Sequence, residues 1–296
     1  PEEITENIFE MNADERAACG IEDLPDSLEH ALDALEARPI PDHMERRAFY
    51  RAGVITCSAV VTWAGRYADE AGRLAREERD SARREELLEI ARICRRVPAH
   101  PAGSFHEALQ AVWFANAFSR LEQIVAGQMG LGRIDQYLYP YFKADREKGL
   151  LDDDKALELL ECLWLNLSRI RRLVPTGSIA NYQGYPHFEQ ACLGGQTPDG
   201  RDASNELSYL ILQSKKEFPL DFPDMSVRIH SMTPAPFLQK AVEVIKEGTG
   251  FPKLYNDEDI VPLLIAKGAT YAEALNYTGC GCAEVRVINR ETYMTQ

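Results

Sequence analysis

From about 41 to 96 the apolar and polar positions repeat at helical spacing, with Trp63, Tyr67, Ala71 and Leu74 four, four and three apart on one face. The opposite face is charged, and the dense mixture of Glu and Arg from Arg73 to Arg96 reads as solvated helix surface. Pro98 and Pro101 end this region. Ser104 with Glu107 three residues later makes a capping-box pattern ahead of Leu109, Val112, Trp113 and Phe114. The helix it opens is nearly apolar all round, as expected of one buried in a large protein. After the acidic residues Asp152, Asp153 and Asp154, a core-facing stripe steps through Ala156, Leu160, Leu163, Leu167 and Ile170.

The later part alternates helices with short extended pieces. Residues 225–230 read as a strand, and Thr233 with Pro234 supplies an N-cap and a first-turn proline for a helix ending near Gly248. Asn256 or Asp257 can cap another helix, and Thr270 with Glu273 is a second capping-box pattern. The stretch 195–205 is dense in turn residues and reads as a surface loop tied to itself by its Asp and Arg, with a helix following through Leu207 and Leu210. An all-helical opening followed by this alternation predicts an α/β architecture. Gly130 and Gly132 lack the third glycine of a dinucleotide fingerprint, and the GTGFPK run is not a phosphate-binding loop.

At 296 residues the chain is large enough to bury a substantial core. Its 33 basic residues against 47 acidic give a formal charge of -14, which disfavours nucleic acid and anionic membrane surfaces as partners. No apolar run approaches the roughly 20 residues of a membrane span. The seven dispersed cysteines read as reduced thiols, and a cytoplasmic location is expected. Cys280 and Cys282, one residue apart with no histidine beside them, do not make a zinc site, and no metal is expected.

The informative segment is 276–286, NYTGCGCAEVR, which its glycines mark as irregular. Cys282 and Glu284 are two apart, so in extended backbone their side chains emerge on one face. Gly279 and Gly281 permit a sharp excursion that projects a thiol into a cavity. These residues alone are compatible with a packed loop carrying free thiols, with a cysteine nucleophile whose histidine base is brought by folding, or with a thiyl radical beside a proton-moving base. The thiyl chemistry suits the pair Cys282 and Glu284.

Five ordered stretches carry a resemblance: SFHEALQAVWF from Ser104, GRIDQYLYPYF from Gly132, LGGQTPDGRDASNELSYL from Leu193, SVRIHSMTP from Ser226, and GCAE from Gly281 to Glu284. Together they resemble the glycyl radical enzymes, the family of pyruvate formate-lyase, radical diol dehydratases, choline trimethylamine-lyase and radical arylacetate decarboxylases. The resemblance implies a ten-stranded α/β barrel of two half-barrels, with the cysteine loop pointing into its centre. Residues 1–100 are then a helical N-terminal region, and 101–296 a first half-barrel with the cysteine loop.

It also implies that Cys282 is the thiyl site and Glu284 the general base, while Phe188 lies where the lyases place a residue of the substrate wall, with an ordinary core phenylalanine as the alternative. Arg286, two residues beyond Glu284, reads either as a fork onto a substrate carboxylate or as a partner in a structural ion pair. Arg133, Asp135 and His230 lie in matching segments with structural ion pairs and caps as their expected roles. The radical glycine would lie outside this chain and be installed by an S-adenosylmethionine iron–sulfur activase, and the full-length protein would be a homodimer. The C-terminal glycyl motif of the family is absent from these 296 residues. The chain is therefore expected to be a piece of a longer enzyme, inactive alone.

The activity expected is elimination of water, an amine or a similar group from a small polar substrate. The alternatives are arylacetate decarboxylation or a non-catalytic, partner-binding remnant. Glu284 beside Cys282, with the two cysteines separated by Gly281, disfavours acyl transfer through adjacent cysteines.

Overall fold

The computed structural model describes residues 43–122, 130–170, 189–220, 222–281 and 283–288. The chain forms two compact units divided between Ala115 and Asn116.

In the first unit, helices α1 (His43–Glu77) and α2 (Ser81–Arg96) pack together and are followed by α3 (Phe105–Glu122), within which the division falls. The single predicted helix is thus two, because the Asp80 carboxylate accepts from Arg83 N–H and starts a new one. The buried stripe of α1 is Cys57, Val60, Ala64, Ala68, Ala71 and Ala75, offset from the expected face. Tyr67 and Leu74 are 44% and 40% exposed. Alanines let two helices approach closely, which pushes the aromatic residues to the flank, where Trp63 stacks on Trp113 at 5.8 Å. Ser104 accepts from the Glu107 N–H as expected, but the buried Glu107 carboxylate turns to Gly103 N–H, Arg92 and Arg96. Burial raises the thiol pKa of Cys57 and pushes Cys94 up to about 11, so both are inert packing groups.

In the second unit, the short helices α4 (Ile134–Tyr137) and α5 (Tyr139–Glu147) precede α6 (Asp153–Ser168), which begins on an Asp152 cap. Its buried positions include the expected Ala156, Leu160, Leu163 and Leu167 together with Trp164, while Ile170, also expected, lies beyond the helix end and is half-buried. Strand β1 (Gln190–Gly194), helix α7 (Glu206–Glu217), strand β2 (Asp224–Ile229), helix α8 (Ala235–Ile245) and strand β3 (Lys253–Asn256) build a parallel sheet in the order β1-β2-β3. Gly132 extends it by a parallel bridge to Ala191. This is the α/β arrangement expected of a half-barrel.

Helix α9 (Asp257–Ala266) is capped by Asn256, and α10 (Tyr271–Leu275) by the predicted Thr270–Glu273 box. Thr233 does not cap α8, since its hydroxyl accepts from the His230 N–H instead. The loop after β1 is tied to itself as expected, with Arg201 Nε donating to Asp199 at 2.6 Å.

The segment expected to be irregular is regular. Strands β4 (Tyr277–Cys280) and β5 (Glu284–Val287) form an antiparallel hairpin with only three residues between them. Gly281, at φ +57°, makes the reversal that would strain a side-chain-bearing residue. The hairpin is fastened by a buried cluster. Arg228 donates two hydrogen bonds to Asp257, at 2.9 and 2.8 Å, and a third to the Tyr277 carbonyl at 2.8 Å. Its guanidinium lies 3.8 Å from the Tyr277 ring centroid, and the Tyr277 hydroxyl donates to Asp257 at 2.7 Å. Arg133 grips the entry to β4 by donating to the Leu275 carbonyl and Asn276 Oδ1, and ties it to the carbonyls of Gly194 and Gln196.

Burial works to raise the Asp257 pKa, but the Arg228 guanidinium, aided by Tyr277 and Gln196, outweighs it and holds the carboxyl below its ordinary range. A depressed folded-state pKa gives stability that is present above the unfolded value of about 3.9 and is lost as pH falls through the folded value. Arg228→Met leaves Asp257 buried without its cation. We predict a loss of about 3–5 kcal/mol in urea denaturation at neutral pH, with a shallower acid-unfolding limb than the parent. A variant with the parent's denaturation midpoint would show the cluster to be dispensable.

Candidate active site

The three parallel strands alternate polar and apolar side chains. Ala191, Leu193, Met225 and Val227 are wholly buried. The other face carries Gln190, Cys192, Asp224, Ser226, Arg228, Lys253 and Tyr255, and the hairpin lies against it. A Cβ added at Gly279 would sit 1.5 Å from Gln190 Oε1 and 3.1 Å from Ser226 Oγ, which shows how closely the hairpin backbone approaches. Alternation then places Tyr277, Gly279, Val285 and Val287 toward the sheet, and Thr278, Cys280, Glu284 and Arg286 on the opposite face. Tyr277, Val285 and Val287 join Tyr255, Val261, Leu264, Ala274 and Leu275 in a core that anchors the hairpin.

Glu284 and Arg286, two of the four residues put forward from the sequence, thus share one face of β5. Cys282 and Phe188 lie outside the described residues, although Gly281 and Ala283 on either side of Cys282 are described. Cys280 pairs with Glu284 across the ladder and is buried. The Glu284 carboxylate accepts from the Ala283 N–H at 2.9 Å, which keeps an acceptor at the turn beside Cys282. Arg286 is half-buried, and its Nε has no hydrogen-bond partner among the described residues.

Gln190, Asp224, Lys253 and Tyr255, which gather at the turn, were not anticipated. Gln190 Nε2 donates to the Tyr255 hydroxyl at 3.4 Å and to the Gly281 carbonyl at 3.5 Å. Lys253 Nζ donates to Asp224 at 2.7 Å and to the same carbonyl at 3.4 Å. Burial pushes the Tyr255 phenol up to about 12, against the Gln190 hydrogen bond and with help from Cys192, Glu284 and Cys280. It therefore stays protonated at neutral pH and acts through hydrogen bonding. Burial also raises the Asp224 carboxyl, and Lys253 draws it back. The signal for these residues is the strict alternation in DMSVRI, because strands of a parallel sheet packed on both faces otherwise read as continuous apolar runs.

Arg133, Asp135 and His230 have structural partners. Asp135 accepts from Gly194 N–H at 2.8 Å and Ser208 Oγ at 2.6 Å, and His230 Nε2 lies 3.1 Å from Asp202.

Gly279→Ala drives a methyl group into the Gln190 amide. The expected cost is about 1–3 kcal/mol in denaturation, and truncation in the double variant Gly279→Ala/Gln190→Ala should return part of it. Strictly additive losses would mean that the hairpin does not seat on Gln190.

Comparison with known proteins places this geometry in a family. The chain is 49% identical over 270 residues to the isethionate sulfite-lyase of Nitratidesulfovibrio vulgaris, covering 90% of this chain and 32% of that one. A solved structure concerned with 1,2-propanediol dehydration in Roseburia inulinivorans superposes with a TM-score of 0.88 at 36% identity, over 93% of this chain and 34% of that one. A glycyl radical enzyme from Archaeoglobus fulgidus gives 0.85 at 34% identity, over 93% and 35%. The chain thus spans about a third of the length of the proteins it matches. With the pyruvate formate lyase-like family model matching residues 10–296, the chain belongs to that family of glycyl radical enzymes.

Proposed function

We propose that this chain is the cysteine-bearing part of a glycyl radical lyase that cleaves the carbon–sulfur bond of isethionate or a close hydroxysulfonate. The observation that carries the reading is the hairpin turn itself. It sets the Glu284 carboxylate at the Ala283 amide, one residue from Cys282, and puts Arg286 on the same face, in a chain 49% identical to an isethionate sulfite-lyase. When present, the glycyl radical, on a residue outside this chain and installed by an S-adenosylmethionine iron–sulfur activase, supplies the oxidation of the Cys282 thiol.

Cys282 then takes a hydrogen atom from the carbinol carbon of the substrate. Glu284 accepts the hydroxyl proton, the carbon–sulfur electron pair leaves with sulfite, and a carbonyl forms at the carbinol carbon. The hydrogen held by Cys282 returns to the neighbouring carbon, giving acetaldehyde and restoring the sulfur radical. Arg286 is assigned to the sulfonate, for which a guanidinium provides a forked donor, and Phe188 to the wall of the cavity. Residues 101–296 serve as the half-barrel of a cytoplasmic homodimer and 1–100 as its helical N-terminal region. Arylacetate decarboxylation fits less well, because the face of the hairpin that carries Glu284 presents Thr278, Cys280 and Arg286 beside it and no aromatic residue among those described.

In the activated full-length protein, isethionate should yield sulfite and acetaldehyde in equal amounts. Cys282→Ala should abolish this, and Glu284→Gln should lower kcat about 10²–10⁴-fold. Arg286→Gln should act mainly on KM. Full turnover by Cys282→Ala, or carbon dioxide from an arylacetate with no sulfite from isethionate, would contradict the proposal.

A further inference from the structure

The carbonyl of Gly281 is the last described acceptor before Cys282, and two donors from different strands converge on it. Lys253 reaches it from the start of β3 at 3.4 Å, and Gln190 from the start of β1 at 3.5 Å. Neither donor is free to wander. The Lys253 ammonium is held at 2.7 Å by Asp224, whose side chain is 2% exposed, and Gln190 is wholly buried beneath Gly279 and linked to the Tyr255 hydroxyl. Asp224 stands opposite Gln190 in the β1–β2 register, while Lys253 stands opposite Ser226, two residues further along β2 on the same face, and its side chain reaches back to Asp224. The left-handed backbone of Gly281 is part of the reversal that brings its carbonyl within reach of Lys253 and Gln190.

We infer that Lys253, steadied by Asp224, and Gln190 are positioning residues that clamp the Gly281 carbonyl and so fix the backbone that presents Cys282. Individually the two contacts are long, and the clamp derives its strength from a charged donor and a buried one sharing a single acceptor. Its catalytic consequence rests on Cys282 being the hydrogen-abstracting residue, since hydrogen transfer demands that donor and acceptor atoms be held within narrow limits. The mechanical role of the clamp stands apart from that reading.

The test uses the full-length protein with Lys253→Met, Lys253→Arg and the charge-neutral double variant Asp224→Asn/Lys253→Met, the last guarding against misfolding caused by an unpaired Asp224. Circular dichroism establishes folding. The first readout needs no radical: the rate at which iodoacetamide alkylates Cys282 in the unactivated protein, followed by peptide mass spectrometry. Lys253→Met and the double variant should be alkylated about fivefold faster or more, and Lys253→Arg should stay near the parent rate. After activation, Lys253→Met should lose about tenfold in kcat with KM within about twofold. An unchanged Cys282 alkylation rate in the folded double variant would overturn the clamp, leaving Lys253 a partner of Asp224 alone. If Cys282→Ala kept its activity, the functional reading would fall while the alkylation rates still judged the clamp.

Discussion

The architecture around the turn depends on one buried cation. Arg228 and Asp257 are both without solvent exposure, and a charge in that setting is tolerated only when its hydrogen-bonding groups are matched. Asp257 takes two of the guanidinium's bonds, the Tyr277 carbonyl takes another, and the Tyr277 ring covers its face. The cation thereby joins β2, the start of α9 and the first residue of β4. It fixes where the hairpin begins, and the three-residue turn fixes where it ends.

Four of the five stretches that carry the family resemblance meet here. A Cβ on Gly195 would lie 2.5 Å from Arg228 Nε, so the second glycine of LGGQ is the space that the arginine of SVRIH occupies. Arg133 of GRID secures the residues just before β4, and Asp135 of the same stretch holds the backbone of Gly194. The hairpin carrying GCAE is the element all of them hold. The remaining stretch, from Ser104, belongs to the helical unit, where Glu107 binds Arg92 and Arg96.

What was legible in the sequence was what local chemistry decides. Thr270 with Glu273, Asn256 and the stripe from Ala156 to Leu167 depend on neighbours within a turn or two, and they stand as expected. The α1 face was misjudged because hydrophobicity favours Trp63 and Tyr67, while helix–helix approach favours alanine. The hairpin was missed because glycine normally weakens a strand. Gly279 is in β4 because no side chain fits over Gln190, a requirement set by a residue 89 positions earlier, counting from 190 to 279. Glu284 and Arg286 could be named from their spacing, whereas Lys253 and Asp224 acquire meaning only when the register puts them on the same face of adjacent strands, where they pair.

The sheet supplies a polar face, the arginines seat the hairpin on it, and the turn offers Glu284 beside Cys282 for coupled loss of a hydrogen atom and a proton. The measurement that bears most directly on this account follows deuterium from the carbinol carbon of isethionate in the activated full-length enzyme. With both carbinol hydrogens replaced, one deuterium should stay on the aldehyde carbon and the other should pass through Cys282 into the methyl group of acetaldehyde, and Cys282→Ala should leave the label on unreacted substrate. Acetaldehyde that keeps one deuterium on its aldehyde carbon but has none in its methyl group, or acetaldehyde formed equally well by Cys282→Ala, would contradict hydrogen abstraction by this cysteine.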